Sequence, residues 1–251
     1  MPVIEKYEPG MFCWIELMTS DAAAAKSFYA SLFGWTINDI PIPDGSTYTM
    51  LQVGEKTVGA LYENKESRPA WNSYVNVTSA DESAQRAQEN GGKVIAPPFD
   101  VMDVGRMAVI NDPAGASLCL WQPGKTIGAT IRGDVNTLCW NELMTPDIDS
   151  AREFYKNLFG WNLKITPEYT EISVGTTGVG GMMHITPEMQ GMPTAWTPYI
   201  CVADADATVE KVKSGGGQVF MGPHEIPNVG RFAVCGDPQG AMFNIIHPSG
   251  M

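Results

Sequence analysis

Cys13-Trp14-Ile15-Glu16-Leu17-Met18-Thr19-Ser20-Asp21 opens a stretch that runs on to Phe33-Gly34-Trp35. The chain writes it a second time as Cys139-Trp140-Asn141-Glu142-Leu143-Met144-Thr145-Pro146-Asp147, running on to Phe159-Gly160-Trp161. Trp14 and Trp140, like Trp35 and Trp161, stand 126 positions apart. Each copy reads as a strand feeding an amphipathic helix. Residues 12–18 alternate, so Ile15 and Leu17 point to one side while Trp14, Glu16 and Met18 point to the other. Ser20 or Asp21 supplies a helix cap. Ala25, Phe28, Tyr29 and Leu32 then fall at helical spacing before Gly34, as Ala151, Phe154, Tyr155 and Leu158 do before Gly160.

Outward from these stretches the repeat continues. In the first half, 36–45 contains two prolines and Asp44-Gly45 and reads as loop; 48–53 and 57–62 read as strands. A strand at 74–77 leads to Ser79-Ala80-Asp81-Glu82, a capping box, and to a helix stopped at Asn90-Gly91-Gly92. A short strand at 93–95 precedes a Pro97-Pro98 loop, a strand at 106–110, a turn at Asp112-Pro113-Ala114-Gly115 and a closing strand at 117–121. Residues 122–136 read as a linker. Trp196, Tyr199, Gly216-Gly217, Arg231 and Asp237-Pro238-Gln239-Gly240 answer Trp71, Tyr74, Gly91-Gly92, Arg106 and Asp112-Pro113-Ala114-Gly115 at a shift of 125. A weaker repeat of strand, helix, glycine stop and strands lies inside each half. Four βαβββ units follow, as a duplication with a period too long for a solenoid.

The chain has 251 residues, 44% of them hydrophobic, and a net charge of −12. That charge excludes nucleic acid and an anionic membrane as the main partner. Five cysteines stand singly with no CxxC, which points to a reduced, cytoplasmic protein. The N-terminal residues lack the apolar core of a signal peptide. No apolar run approaches the roughly 18 residues of a membrane span.

The strand–Asp–helix run with Phe-Tyr and Leu-Phe-Gly-Trp, the helix ending Gly-Gly, and the Gly-Arg…Asp-Pro-x-Gly-Ala run occur in order in both halves. This pattern resembles the vicinal oxygen chelate superfamily, which includes glyoxalase I, bleomycin-resistance proteins and extradiol dioxygenases. The double arrangement is similar to tandem glyoxalase-like proteins. The resemblance implies an α+β fold: four βαβββ units forming two glyoxalase-like domains with curved mixed sheets, at residues 1–128 and 129–251. It also implies a cleft on each sheet with a metal held by His, Gln or Glu. At the family's first ligand position, seven residues before the helix-leading Asp, stand Trp14 and Trp140. The next strand's position holds Asn72 and Thr197, and the last strand's holds Cys119 and Asn244. Neither half keeps a His or a carboxylate at these three places, and Glu63 and His184 lie near the fourth. A divalent ion needs several converging donors, so no metal and no other cofactor is expected.

On that alignment the first cleft is lined by Trp14, Glu16, Met18, Asn72, Tyr74, Cys119 and Trp121. The second is lined by Trp140, Glu142, Met144, Thr197, Tyr199, Asn244 and Ile246. Either the aromatic walls leave room for a small ligand or the Trp and Met side chains fill the cup. Glu16 and Glu142 are candidate general bases or ligand acceptors, or structural partners of Arg106 and Arg231. Tyr74 and Tyr199 would donate to a carbonyl or oxyanion, or simply pack. The two arginines would clamp a ligand carboxylate or pair with an acidic loop. Cys119 has no basic neighbour in sequence to make it a nucleophile, and His184, His224 and His247 carry no motif. Two functions stay open: a small organic or aromatic ligand bound in a metal-free cleft by a monomer or homodimer, or a lyase, isomerase or hydroxylase using Glu16 or Glu142 as base.

Overall fold

A computed structural model of the chain describes residues 3–42, 45–189 and 191–250. The first half runs β1 (Phe12–Thr19), α1 (Ala22–Phe33), β2 (Thr36–Pro41), β3 (Thr47–Val53), β4 (Lys56–Glu63), β5 (Ala70–Asn76), α2 (Ala80–Glu89), β6 (Lys93–Val101), β7 (Gly105–Asn111) and β8 (Ser117–Pro123). The second repeats it as β9 (Leu138–Thr145), α3 (Ile148–Phe159), β10 (Asn162–Ile165), β11 (Thr170–Val174), β12 (Thr177–His184), β13 (Ala195–Cys201), α4 (Ala205–Ser214), β14 (Gln218–Ile226), β15 (Gly230–Gly236) and β16 (Met242–Pro248). Asp21 caps α1 by accepting from the Ala24 N–H at 3.0 Å, and Asp147 caps α3 in the same way. Both helices stop at a left-handed glycine, Gly34 with φ 69° and Gly160 with φ 70°.

Each half builds one eight-stranded mixed sheet, ordered β2-β3-β4-β1-β5-β8-β7-β6 and β10-β11-β12-β9-β13-β16-β15-β14. Two segments differ from the sequence reading. Residues 36–41 are the edge strand β2, antiparallel to β3, rather than loop; Pro43 and Asp44 lie outside the described residues. Pro97 and Pro98 lie within β6, where the register shifts against β7. The physical reason is shared: an edge strand has one unpaired side, so a proline's missing N–H need not break the ladder. Residues 124–136 are no loose tether either, because Ala129 and Ile131 are buried.

Each sheet belongs to one half, but each core belongs to both. Ile15, Leu17, Phe28, Tyr29 and Trp71 pack with Val209, Val212, Phe243 and Ile245 of the second half. Leu143, Phe154, Tyr155 and Trp196 pack with Ala84, Ala108, Ile110 and Leu118 of the first. In sheet pairing, then, the first unit joins the second and the third joins the fourth. In core packing the first joins the fourth and the second the third. The helices and the junction between the sheets share the core face of each sheet, which leaves the opposite face as a bowl. Among the described residues no helix is long and apolar enough to cross a membrane.

Two buried relays fasten the halves. The Tyr29 hydroxyl accepts from Trp71 Nε1 at 2.9 Å and donates to Asp237 Oδ2 at 3.0 Å. The Tyr155 hydroxyl accepts from Trp196 Nε1 at 2.8 Å and donates to Asp112 Oδ2 at 3.1 Å. Tyr29→Phe leaves a buried indole N–H and a buried carboxylate oxygen without a partner. It is expected to lower unfolding free energy by about 1–3 kcal/mol, and Tyr155→Phe by a similar amount, both read from urea unfolding. Unchanged midpoints in both variants would mean the relays do not hold the halves together.

Candidate functional site

Strand register assembles the two bowls. Trp14 lies opposite Tyr74 and Glu16 opposite Asn72 across β1 and β5, while Tyr74 pairs with Cys119 and Asn76 with Trp121 across β5 and β8. The second half matches: Trp140 faces Tyr199, Glu142 faces Thr197, and Tyr199 pairs with Asn244. Side chains at paired positions share a sheet face, so each set expected from sequence is gathered on one bowl.

In both bowls a carboxylate is held between two phenols. Tyr74 donates to Glu16 Oε1 at 2.8 Å and Tyr48 donates to Oε2 at 2.5 Å. Tyr199 donates to Glu142 Oε1 at 3.0 Å and Tyr169 donates to Oε2 at 3.0 Å. Behind the outer phenol stands the indole: Trp140 Nε1 donates to the Tyr169 hydroxyl at 2.9 Å, and Trp14 hydrogen-bonds Tyr48. Burial pushes both carboxyls above their ordinary range, and the phenol bonds pull partly the other way. The four tyrosines are pushed up as well, first by burial and then by the neighbouring carboxylate.

Tyr48 and Tyr169 were missing from the sequence-derived lining. A signal for them exists, since Tyr48-Thr49 and Tyr169-Thr170 open matching strands 121 positions apart. The arginines are not partners of the glutamates. Arg106 grips Asp81 with Nε at 2.7 Å and Nη2 at 2.9 Å and reaches Asp100 at 2.9 Å. Arg231 grips Asp206 at 2.6 and 2.8 Å. Each aspartate lies in the first turn of α2 or α4, beside the strand that begins with the arginine, so the guanidinium meets it at the surface before any ligand. Tyr74 and Tyr199 both spend their hydroxyl protons on glutamate.

The bowls differ in access. Glu16, Trp14, Tyr74, Cys119 and Trp121 are all buried, in an apolar cluster with Tyr7, Ala129, Val104 and Ile127. The 124–131 segment closes this bowl: Trp121 Nε1 donates to Thr126 O at 3.0 Å, Tyr7 to Ala129 O at 2.8 Å, and the Ala129 N–H to Cys13 O at 2.8 Å. Gly128, with φ 112°, has no Cβ to strike the Cys13 carbonyl. In the first half most of the cup is covered, while Met18, Asn72 and Tyr48 stay half-buried. Burial also raises the Cys119 thiol, which leaves it neutral and unreactive. In the second half Trp140, Glu142, Tyr169, Phe232 and Ile246 are only half-buried, above a floor of Thr197, Tyr199 and Asn244. Two further hollows, of about 630 Å³ beside Arg152 and His184 and about 830 Å³ beside Lys56 and Thr130, lie away from both bowls.

The metal that the fold would lead one to expect finds no fitting donors. Trp, Asn, Thr and Cys stand where chelators would. Glu63 turns away to accept from the Ala22 N–H at 3.1 Å, and exposed His184 meets the Pro146 carbonyl at 3.0 Å. Among the described residues no group of three or more His, Cys, Asp or Glu could hold an ion.

The paired mixed sheets, each with helices on one face and a bowl on the other, define the class. The profile of the Glyoxalase/Bleomycin resistance protein/Dioxygenase superfamily matches residues 12–120 and 137–245, and the chain belongs to that superfamily. Within it, the chain is 40% identical over 260 residues to "Putative glyoxylase CFP32" of Mycobacterium tuberculosis, covering 99% of each chain. It is 32% identical to "Anthracycline biosynthesis protein DnrV" of Streptomyces peucetius, covering 96% of this chain and 94% of that one. Its fold is shared with the Mn(II)-bound glyoxalase of Novosphingobium aromaticivorans, at TM-score 0.68 and 13% identity, over 95% of this chain and 82% of that one. It is also shared with the 2,3-dioxygenase LapB of Pseudomonas sp. KL28, at TM-score 0.67 and 12% identity, over 96% and 93%.

Two outcomes follow from the Glu142 geometry. A carboxyl whose proton affinity rises on folding contributes most to stability below its ordinary value of 4.5, and that contribution is lost as pH climbs through the folded value. Glu142→Gln carries no charge to desolvate, so it should gain on the parent as pH rises above about 4.5 and level off once the folded carboxyl has ionised, in paired urea titrations. A pH-independent difference would show that Glu142 is not desolvated. Gly181 lies beside Glu142 on β12, and a Cβ there would fall on the Tyr169 ring and hydroxyl, whereas the first half has Ala60 in that place. Gly181→Ala should therefore drive Tyr169 off Glu142 and speed nitration of Tyr169, read by peptide mass; unchanged nitration would refute the contact.

Proposed function

We propose that the chain binds a small organic ligand in its C-terminal bowl, by shape and hydrogen bonding rather than through a metal. The observation that carries this reading is the contrast between the bowls. The same glutamate clamped by two phenols stands beside buried Trp14, Tyr74 and Trp121 in the first half and beside half-buried Trp140, Phe232 and Ile246 in the second. Aromatic walls with a few fixed polar groups suit a compact apolar or aromatic molecule. The naming of the Streptomyces relatives for anthracycline biosynthesis supports a planar aromatic body lying against Trp140 and Phe232. Glu142 and Asn244 would orient it, with Thr197 and Tyr199 beneath. Tyr169, at the turn before β11, is the wall that would shift to admit it.

Calorimetric titration with 1,8-dihydroxyanthraquinone tests the reading. One molecule should bind per chain, with affinity unchanged by a chelator and reduced roughly tenfold in Trp140→Ala, as expected for loss of an aromatic anchor. Near-stoichiometric Zn, Ni, Mn or Fe in the purified protein, or binding abolished by chelation, would overturn it.

One observation favours a second reading, proton transfer next to a carbonyl with Glu142 as base. Burial raises the carboxyl's proton affinity, which suits a general base working near neutral pH. The name of the mycobacterial relatives points the same way. Turnover of an α-hydroxycarbonyl compound that is lost in Glu142→Gln while ligand binding persists would establish it.

A further inference from the structure

We infer that the ligand of the C-terminal bowl is an organic cation, an ammonium or amidinium group on an aromatic or apolar body. This rests on reading that bowl as a binding site. The argument is a census of donors and acceptors. Glu142 takes one hydrogen bond on each oxygen, from Tyr169 and Tyr199, and each oxygen keeps a further lone pair. Those two phenols have spent their protons on it, and the Trp140 N–H is spent on Tyr169. Among the described residues no Lys, Arg or His forms an ion pair with Glu142; Arg231 of the same half is committed to Asp206.

A second acceptor lies two strands away on the same face. Asn244 is 4% exposed, and its Oδ1 is buried with no hydrogen-bond partner. Its position pairs with Tyr199, so it shares the face on which Tyr199 reaches Glu142. An unpartnered buried carbonyl oxygen is costly and is normally matched by a donor. The bowl therefore keeps free acceptor capacity on Glu142 and on Asn244 Oδ1, set among aromatic rings, against the Thr197 hydroxyl and the Asn244 amide N–H groups as its donors.

Charge and walls select the kind of cation. Trp140, Tyr169, Tyr199 and Phe232 line the bowl with aromatic rings, the Tyr199 and Phe232 centroids 6.5 Å apart. Rings of this kind attract weakly hydrated organic cations. A bare divalent ion would need six or more oxygen ligands, which one carboxylate and one amide do not supply. The net charge of −12 would draw cations toward the bowl. An N–H-bearing cation would take the spare lone pairs of Glu142 and reach Asn244 Oδ1, completing a charge pair that the protein leaves half-made.

The test compares matched probes on the parent chain. Benzylamine and 2-naphthylmethylamine are titrated against their alcohol and carboxylate counterparts by calorimetry, with NMR shifts on β13, β15 and β16 to place the site. Each amine should bind roughly tenfold or more tighter than its alcohol, a preference erased in Glu142→Gln, as for loss of one partner of a buried charge pair. Asn244→Leu should weaken the amines while leaving a preference for them over the alcohols. Alcohols bound in the bowl as tightly as amines, or a preference that survives Glu142→Gln, would overturn the cation assignment and leave the bowl as a binding site. No binding by any probe, or shifts confined to other strands, would overturn both. The amine-to-alcohol ratio on the parent chain keeps the inference falsifiable whether or not either variant folds.

Discussion

The hydrogen bond from a tyrosine of one half to an aspartate of the other is the constraint on which the architecture rests. Asp237 accepts the Ala241 and Gln239 N–H groups on Oδ1 at 2.9 Å each, and that turn geometry aims Oδ2 at Tyr29. Asp112 does the same with Ala114 and Ala116 at 2.9 and 2.8 Å and meets Tyr155. The aspartates are buried and their proton affinity is raised by burial, so they depend on these bonds. The Tyr donor comes from a helix of the opposite half, so neither half satisfies its own turn. Around each relay the aromatic rings stack edge to face, as Tyr29 does on Trp71 and Tyr155 on Trp196, both at 5.3 Å. Two further indoles extend the fastening: Trp35 donates to Asn136 O at 2.7 Å and Trp161 to Gly10 O at 2.8 Å.

Because the helices and the interface occupy one face of each sheet, the bowls are free to diverge without disturbing the junction. That freedom has been used unequally. The first bowl has an overlying segment in residues 124–131, and a glycine, Gly105, where any Cβ would strike the Trp121 ring. The second has Gly181, which lets Tyr169 lie across the strand toward Glu142. One bowl has become core and the other keeps an accessible polar group, though both retain the glutamate between two phenols.

The sequence made the architecture legible because its signals are local and repeated. The Phe-Tyr pair on α1 and α3, the glycine stops and the Asp-Pro turns recur at fixed shifts, and period-two alternation on β1 assigns Glu16 and Ile15 to opposite faces. It failed at the edge strands β2 and β6, where proline content outweighs a pairing that involves one side only. The cross-half division of the core was invisible, since a tyrosine's hydrogen-bond partner more than 200 residues away leaves no local pattern. The glutamates were found, but their outer phenols were not. Tyr48 and Tyr169 sit near the ends of strands whose register against β1 and β9 passes through β4 and β12, and that register has to be known before they can be placed.

A carboxylate between two phenols admits a purely structural explanation, and Glu16 fits it: it is buried beside Trp14, Tyr74 and Trp121 with both oxygens bonded to phenols. Glu142 departs from that explanation on two physical counts: the residue itself is only half-buried, and so are Trp140, Phe232 and Ile246 around it. An orphaned amide oxygen is common to both bowls, Asn76 Oδ1 in the first and Asn244 Oδ1 in the second. Leaving large rings half-exposed forfeits part of the roughly 1.5–3 kcal/mol that full burial of such a side chain contributes, and an orphaned amide oxygen adds a further penalty. The first bowl shows how this fold can recover the ring-burial term by drawing a segment of its own chain across the opening. That the second bowl keeps its rings half-exposed around a carboxyl with no cationic partner is accounted for if a cation from outside supplies what Arg106 and Arg231, held by the aspartates of α2 and α4, do not.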